Sequence, residues 1–372
     1  MKLVSLYVRN FRPFSELSCE FSPGINQVIG QNGQGKTSIL EAISLAMTTT
    51  SFRTAKLYDI IKHQSDGFFI CVVFEKEGVR TELEISYDGQ RKRLFCNKRP
   101  IEVKALIGQL VGVISYPEIQ NLIKGPPALR RHYLDVQIAE VDPIYMQHLS
   151  RYKAALKHRN VLLRQKNFAT IHVWEHELAL SAAYIACTRE KIVEALCPLV
   201  AKSYHAISGK SIPLQLTYTT TAPKGESEEG VARHYYEEYG RRRPLEAIKG
   251  STCVGPHRDD LSVMRVSEGC NDGKSEGKSD GRLMRCFASE GEMRLAALAL
   301  KFAEWQSLHE RLKMPPLMLI DDFGAYLDAE RRARLFAMVS ELGGQVFLSM
   351  HELQGDACAG KVLQLASSSS AL

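Results

Sequence analysis

The sequence predicts an α/β protein whose core is interrupted by an inserted helical arm. Three observations predict it. Residues 30–37 read Gly30-Gln31-Asn32-Gly33-Gln34-Gly35-Lys36-Thr37, the G-x-x-x-x-G-K-[ST] pattern. Residues 315–322 read Pro315-Pro316-Leu317-Met318-Leu319-Ile320-Asp321-Asp322, an apolar run that ends in two carboxylates. Between them lie two helical seams: Tyr145, Leu149, Tyr152, Leu156 and Leu163 on a 4,3,4,7 spacing, and Trp174, Leu178, Ile185, Ile192 and Leu199 on a 4,7,7,7 spacing.

The elements follow in order. Residues 1–9 alternate and are interrupted by Arg9, which predicts a strand and not a signal peptide. Ile25 to Ile29 suits a buried strand, and residues 38–47 predict a helix with Ile39, Leu40, Ile43 and Met47 on one face. Strand, glycine loop and helix are what phosphate binding needs. Glycines let backbone N–H groups close around phosphate oxygens, and the helix N-terminus adds partial positive charge. Lys36 supplies a point charge, and the Thr37 hydroxyl a ligand for Mg²⁺. Val79 to Tyr87 alternates, Asp88-Gly89 predicts a type I′ turn, and Gln90 to Cys96 returns as a second strand. From about Pro127 the pattern turns helical. The two seams, broken at Asn167-Phe168-Ala169-Thr170, predict an antiparallel arm of helices about 45 Å long at ~1.5 Å per residue. A strand is expected at 212–220, an acidic loop at 225–230, then a short helix, and a strand after Arg241-Arg242-Arg243-Pro244. Residues 267–281, rich in Gly, Ser, Asp and Lys, predict a mobile loop.

The second carboxylate segment completes the site. A strand over 317–320 carries Asp321 to its C-terminal edge, where open α/β sheets bind nucleotides. Asp321 is expected in the Mg²⁺ shell, and Asp322 as the base or orienter of the attacking water. Ahead of it, Ala288-Ser289-Glu290-Gly291-Glu292 opens a helix expected from Met293 to Leu312, with Leu295, Leu298, Ala299, Phe302 and Leu308 inward. Ser289 and Glu292 have capping-box spacing. The same segment matches an ABC-ATPase signature loop, in which Ser289 and Gly291 reach the γ-phosphate held by a second subunit. Signature loop, strand with carboxylates, then Leu327-Asp328 as a D-loop is the ABC order. His351, after an apolar run at 346–350, stands where a switch histidine would.

With these motifs in place, the chain resembles the RecF family of bacterial DNA repair and recombination ATPases over nearly its whole length. The resemblance also rests on Ser51-Phe52-Arg53-Thr54, on Ile123-Lys124-Gly125-Pro126 with Arg130-Arg131 and Leu134-Asp135, and on Leu156-Lys157-His158-Arg159-Asn160. Val254-Gly255-Pro256-His257-Arg258-Asp259-Asp260-Leu261 is its most specific part. It implies an ABC-type head related to those of SMC proteins, a homodimer formed on ATP with Mg²⁺, and binding to single- and double-stranded and gapped DNA. It further implies action with RecO and RecR to load recombinase at single-strand gaps, with support of replication and the SOS response. Three stretches depart from the family pattern: Glu290 and Glu292 where glutamine is common, Pro117-Glu118-Ile119-Gln120, and Phe323-Gly324-Ala325-Tyr326-Leu327-Asp328.

Bulk properties agree. With 372 residues, 45% hydrophobic and 24% charged, the chain is expected to hold two to three domains. These are a P-loop ATPase lobe at 1–110, a helical insertion at 111–250, a return with signature loop and Walker-B-like strand at 251–366, and a disordered tail at 367–372. Nine cysteines without a C-x-x-C pair argue against a disulfide framework or zinc site and fit the cytoplasm. No stretch of about eighteen apolar residues predicts a membrane span. The net charge of +6 permits nucleic acid, and basic residues gather in the arm: Arg130, Arg131, Arg151, Lys153, Lys157, Arg159, Arg164 and Lys166. Of these, Lys153, Lys157 and Arg164 share a helical face and are the candidate DNA contacts. Hydrolysis is expected to be slow, because Asp322 stands where most ABC enzymes use glutamate, and the resemblance implies that DNA stimulates it. The competing functions are the nucleotide-binding subunit of a membrane transporter and a P-loop kinase or nuclease-linked ATPase. The transporter reading does not account for the helical insertion or for Gly255 to Leu261, and the kinase or nuclease reading needs an acceptor-substrate site or an acidic metal cluster beyond Asp321 and Asp322, neither of which is evident.

Overall fold

The computed structural model describes residues 1–210, 213–266, 281–325, 327–351 and 360–365. The expected loop at 267–281, apart from Gly281, and the tail at 367–372 lie outside the described residues. The chain divides into two compact units: Met1–Ile119, Ala206–Gly209 and Lys301–Leu372 form one, and Gln120–His205 and Lys210–Leu300 the other.

The first unit opens with β1 (Lys2–Phe11), β2 (Phe14–Glu20), β3 (Ile25–Ile29), α1 (Lys36–Thr48), β4 (Phe68–Lys76), β5 (Val79–Tyr87), β6 (Lys92–Cys96), β7 (Arg99–Pro100) and β8 (Gly112–Ser115). Strands β2-β1-β4-β5-β6-β7 form an antiparallel sheet. Period-two alternation places Phe68, Ile70, Val72 and Phe74 of β4 and Leu83 and Ile85 of β5 on one face. They share a core with Ile39, Leu40 and Ile43 of α1. The β5–β6 turn is framed one residue later than expected. Tyr87 pairs with Lys92, and Gly89 alone takes a positive φ, 82°, while Asp88 accepts from the N–H groups of Gln90 and Arg91. A glycine at the first central position suits a type II′ turn, and the Asp88 side chain closes it.

The second unit holds α2 (Pro127–Ala139), α3 (Pro143–Gln165), α4 (Ile171–Ser208), β9 (Leu214–Thr219), α5 (Glu228–Lys249), β10 (Asp260–Val266), β11 (Gly281–Leu283) and the start of α6 (Glu290–Leu312). Helices α3 and α4 form the antiparallel arm: His148 stacks on Tyr184 at 4.3 Å and His158 on Trp174 at 4.2 Å. They differ in length, with 23 and 38 residues.

Helix α5 corrects three expectations. It begins inside the expected acidic loop, capped by Ser227 with Glu228 and Glu229 in its first turn, which suits the helix dipole. It is long, not short, and it continues through Arg241–Pro244, where a strand was expected to follow. Buried partners on either side of Pro244 hold the helix despite the missing N–H. Arg243 pairs with Glu175, and Glu246 with Arg159 at 2.6 Å.

Arg159 is the centre of that region and is wholly buried. Its guanidinium donates to Glu175, Glu246, the Thr252 hydroxyl and the Tyr239 carbonyl. Arg159→Met would leave the buried Glu246 without its cation and Glu175 with Arg243 alone, and is expected to cost about 3–5 kcal/mol of unfolding free energy in urea titration. A loss below about 1 kcal/mol would show the network to be dispensable.

The chain returns to the first unit with β12 (Leu317–Ile320), α7 (Ala329–Glu341), β13 (Val346–Met350) and β14 (Lys361–Gln364). An all-parallel sheet of order β14-β3-β13-β12-β8 results. Its central strands β12 and β13 are near-continuous apolar runs, fully buried as a sheet covered on both faces requires, whereas the edge strand β14 alternates between part-buried and exposed residues. Strand β13 lies between β3 and β12, so Gly30 and Asp321 leave the sheet at one edge.

Candidate nucleotide-binding site

The loop after β3 closes over the N-terminus of α1. Gly35 is the N-cap, at φ 96°, and a Cβ there would meet the Phe14 ring at 2.4 Å. Only glycine satisfies both conditions. Lys36 is buried, and its ammonium donates to the carbonyls of Gly30 at 2.7 Å and Gln31 at 3.0 Å. Gln34 Oε1 accepts from the Gln31 N–H at 2.7 Å, which stiffens the loop. A cleft of about 350 Å³ is lined by Asn32, Gly33, Gly35, Lys36 and Thr37, and by Asp322 from beyond β12.

Thr37 Oγ1 donates to Asp321 Oδ1 at 3.0 Å across 284 positions of sequence. The same Asp321 oxygen accepts from Ser349 Oγ of β13 at 2.6 Å. Ser349 Oγ in turn accepts from the Asp322 N–H at 2.8 Å. Burial raises the Asp321 pKa, against the lowering effect of the Ser349 hydrogen bond. Asp322 has φ 51°, a left-handed conformation that aspartate tolerates better than most residues.

His351 and Asp328, two of the expected site residues, are not among those that line this cleft. His351 follows β13, whose last residue Met350 pairs with Ile29, but it is exposed and does not line the cleft. Asp328 is the N-cap of α7, accepting from the Arg331 N–H at 2.8 Å.

In the second unit Ser289 and Glu292 make the reciprocal capping box: the Ser289 N–H donates to Glu292 Oε2 at 3.1 Å, and the Glu292 N–H to Ser289 Oγ at 3.3 Å. Helix α6 therefore starts at Glu290, three residues before the expected Met293. The carboxylates that depart from the family pattern face cations. Glu290 pairs with Lys124 at 3.2 Å, and Glu292 lies 3.6 Å from Arg265.

Lys153, Lys157 and Arg164 are exposed on α3. Arg130 and Arg159, counted above with the arm's basic residues, are instead buried. Arg130 forks onto Asp260 at 2.7 and 2.9 Å. The 254–261 segment is tied into the second unit by similar bonds. Its His257 Nδ1 accepts from the Tyr152 hydroxyl at 2.6 Å, and its Nε2 lies 3.0 Å from the Thr252 carbonyl. A carbonyl can only accept, so Nε2 carries the proton. Burial lowers the His257 pKa to about 4, keeping the ring neutral.

Sequence reasoning missed Arg12, which lines the cleft, and Ser349, which links the two aspartates. Arg53 also lines the cleft; it was noted only within a family motif. Nothing local marks Arg12 or Ser349.

Among known proteins, the DNA replication and repair protein RecF of Protochlamydia amoebophila is 39% identical over 351 residues, 94% of each chain. The chain belongs to the RecF family. RecF of Heliobacterium modesticaldum is 30% identical over 95% of this chain and 93% of its own. The model of the RecF/RecN/SMC N-terminal domain matches residues 2–367. A solved structure of the recombination mediator RecF with ATP, from the RecFOR pathway, superposes with a TM-score of 0.86 at 27% identity, covering 98% of this chain and 95% of that one. The Smc head domain of Pyrococcus furiosus shares the fold at a TM-score of 0.54 and 17% identity. The α/β fold is thus the SMC-related ABC-type head with a helical insertion that the RecF resemblance implied. These RecF relatives lend no support to a transporter subunit, and no helix among the described residues is long and apolar enough to cross a membrane.

Proposed function

We propose that this RecF-family chain is an ATP-dependent DNA-binding protein of recombinational repair. It would act in the cytoplasm as a dimer switch with RecO and RecR, loading recombinase at single-strand gaps and supporting replication and the SOS response. The observation that carries the nucleotide step is the 3.0 Å approach of Thr37 Oγ1 to Asp321 Oδ1 beside a cleft that Lys36 and Asp322 share. The donor set fits Mg²⁺: a hydroxyl and a buried carboxylate are hard oxygen ligands, and a dication would relieve the charge that burial disfavours at Asp321. Bound there, Mg²⁺ would neutralise charge on the phosphate oxygens. Lys36 and the loop N–H groups bind phosphates, Asp322 orients the attacking water, and Ser349 holds both aspartates in register.

The switch needs a second copy. Ser289 and Gly291 of one subunit are assigned to the γ-phosphate held by Lys36 of the other, with Asp328 at the subunit contact. Lys124 and Arg265 offset Glu290 and Glu292, so this face is not closed to a phosphate. ATP is expected to convert monomer to dimer in analytical ultracentrifugation, and Ser289→Arg to block that conversion while ATP still binds. Normal dimerisation of Ser289→Arg would sink the trans arrangement.

DNA contact is assigned to Lys153, Lys157 and Arg164, because phosphate neutralisation needs charge and spacing but no base-reading residues. Reversing all three to glutamate should weaken every DNA sequence alike, and lower the slope of log affinity against log salt by about 2–3. Salt-insensitive binding, or a loss confined to one sequence, would contradict this.

A further inference from the structure

Glu41 lies one turn beyond Thr37 on α1, hence on the same helix face. Its carboxylate is 0% exposed, yet it is not neutralised by one partner alone. Arg12 forks onto it, Nε to Oε2 at 2.8 Å and Nη2 to Oε1 at 2.7 Å. Arg12 is further fixed by its Nη1, which donates to the Asp59 carbonyl at 3.0 Å, and by its own N–H, which donates to Ile60. Arg53 approaches the same carboxylate at 3.4 Å with a side chain 42% exposed, against 19% for Arg12. The Ser51 hydroxyl donates to Glu41 Oε1 and accepts the N–H groups of Arg53 at 3.0 Å and Thr54 at 3.2 Å. The loop that carries Arg53 is therefore tied to Glu41 by the Ser51 hydroxyl, while Phe52 stacks on Tyr116 at 5.0 Å and Thr54 Oγ1 donates to Asp59 Oδ2 at 2.6 Å to anchor it elsewhere. Both guanidinium-bearing residues line the cleft beside Lys36.

We propose that Glu41 is a positioning residue for the nucleotide: it fixes Arg12 firmly and holds Arg53 by a loose contact that a nucleotide phosphate takes over. The inference rests on the nucleotide-site assignment above. The two arginines differ in commitment because a buried carboxylate has room for one fork. Arg12 fills it with good geometry, whereas the long Arg53 contact gives up little on leaving. A phosphate offers Arg53 a better acceptor, and Ser51 keeps the loop within reach.

The test is Mg·ATP binding by a fluorescent analogue, with steady-state hydrolysis, for Ser51→Ala, Ser51→Thr, Arg53→Ala, the Ser51→Ala/Arg53→Ala pair and Glu41→Gln. Loss of Arg53 is expected to raise Kd and KM about tenfold, as for one charged hydrogen bond. Ser51→Ala should do much of the same with kcat kept within about twofold, Ser51→Thr should restore the parent values, and the pair should be no worse than Arg53→Ala. Glu41→Gln should match or exceed the effect of Arg53→Ala. If it fails to fold, Ser51→Ala carries the test, because it leaves the Arg12–Glu41 fork intact. Parent-like binding by Ser51→Ala, or effects that multiply in the pair, would overturn the proposal. Lys36→Ala run alongside separates the two ideas. If it abolishes binding while Ser51→Ala does nothing, only the Glu41 role falls; if it too binds normally, the nucleotide site itself is misplaced.

Discussion

Lys36→Ala is expected to abolish ATP binding, with Kd raised at least about a hundredfold and hydrolysis lost, while the fold persists. Lys36 is buried, and among the described residues its ammonium is held by the carbonyls of Gly30 and Gln31. Those bonds hold the charge inside the loop without tying it to a carboxylate, so phosphate oxygens meet little competition for it. The expected loss is large because phosphates gathered by backbone N–H groups and a helix N-terminus still need that charge. The fold is expected to survive because the alanine removes a charge and leaves no carboxylate stranded. Isothermal titration with Mg·ATP gives the affinity, and thermal melting the integrity. Parent-like affinity in a folded Lys36→Ala protein would remove the basis of the switch.

How much of this was legible in the sequence depended on how local each feature is. The strand, loop and helix at 25–48 were readable because glycine spacing and apolar periodicity act over a few residues. So was the Ser289–Glu292 box, and for the same reason. The pairing of Thr37 with Asp321 was readable at one remove, through the chemistry a bound nucleotide needs. Ser349 was not, because its role exists only once β13 lies between β3 and β12. Arg12 and Glu41 were hidden differently. Each looks like an ordinary surface charge, and only the contact across 29 positions shows that one buries the other. Arg159 misled in the same way: an arginine in a basic helix reads as solvent-facing until two carboxylates from α4 and α5 close around it. The helix through Pro244 shows tertiary partners overriding a strong local signal. The β5–β6 turn shows the opposite scale, where an Asp-Gly pair left its frame open by one residue.

Asp322→Asn is expected to slow hydrolysis by roughly a hundredfold to ten-thousandfold, the contribution usual for a positioned base. It should also lengthen the lifetime of the protein on DNA in proportion. The substitution isolates charge, since asparagine tolerates the left-handed backbone that Asp322 adopts, φ 51°, and keeps the N–H bond to Ser349. The same backbone gives a physical reason for aspartate where most ABC enzymes use glutamate. The Cβ clash at positive φ costs on the order of 1–2 kcal/mol, and aspartate is tolerated there because its polar group, close to the backbone, can hydrogen-bond locally, which a glutamate carboxylate one methylene further out does less well. An aspartate carboxylate reaches one methylene less far than a glutamate one, and a misplacement of about 1 Å can cost a hundredfold in rate. His351 is exposed and outside the cleft lining, so His351→Ala should change the rate far less than Asp322→Asn. Slow turnover would let the ATP-bound dimer persist on DNA until partners arrive, and hydrolysis would then release it. Single-turnover hydrolysis measured beside DNA dissociation decides the matter. Parent turnover near or above about 10 s⁻¹, the enzyme median, would be too fast for a timer. Equal rates in parent and Asp322→Asn would show that Asp322 does not set the clock.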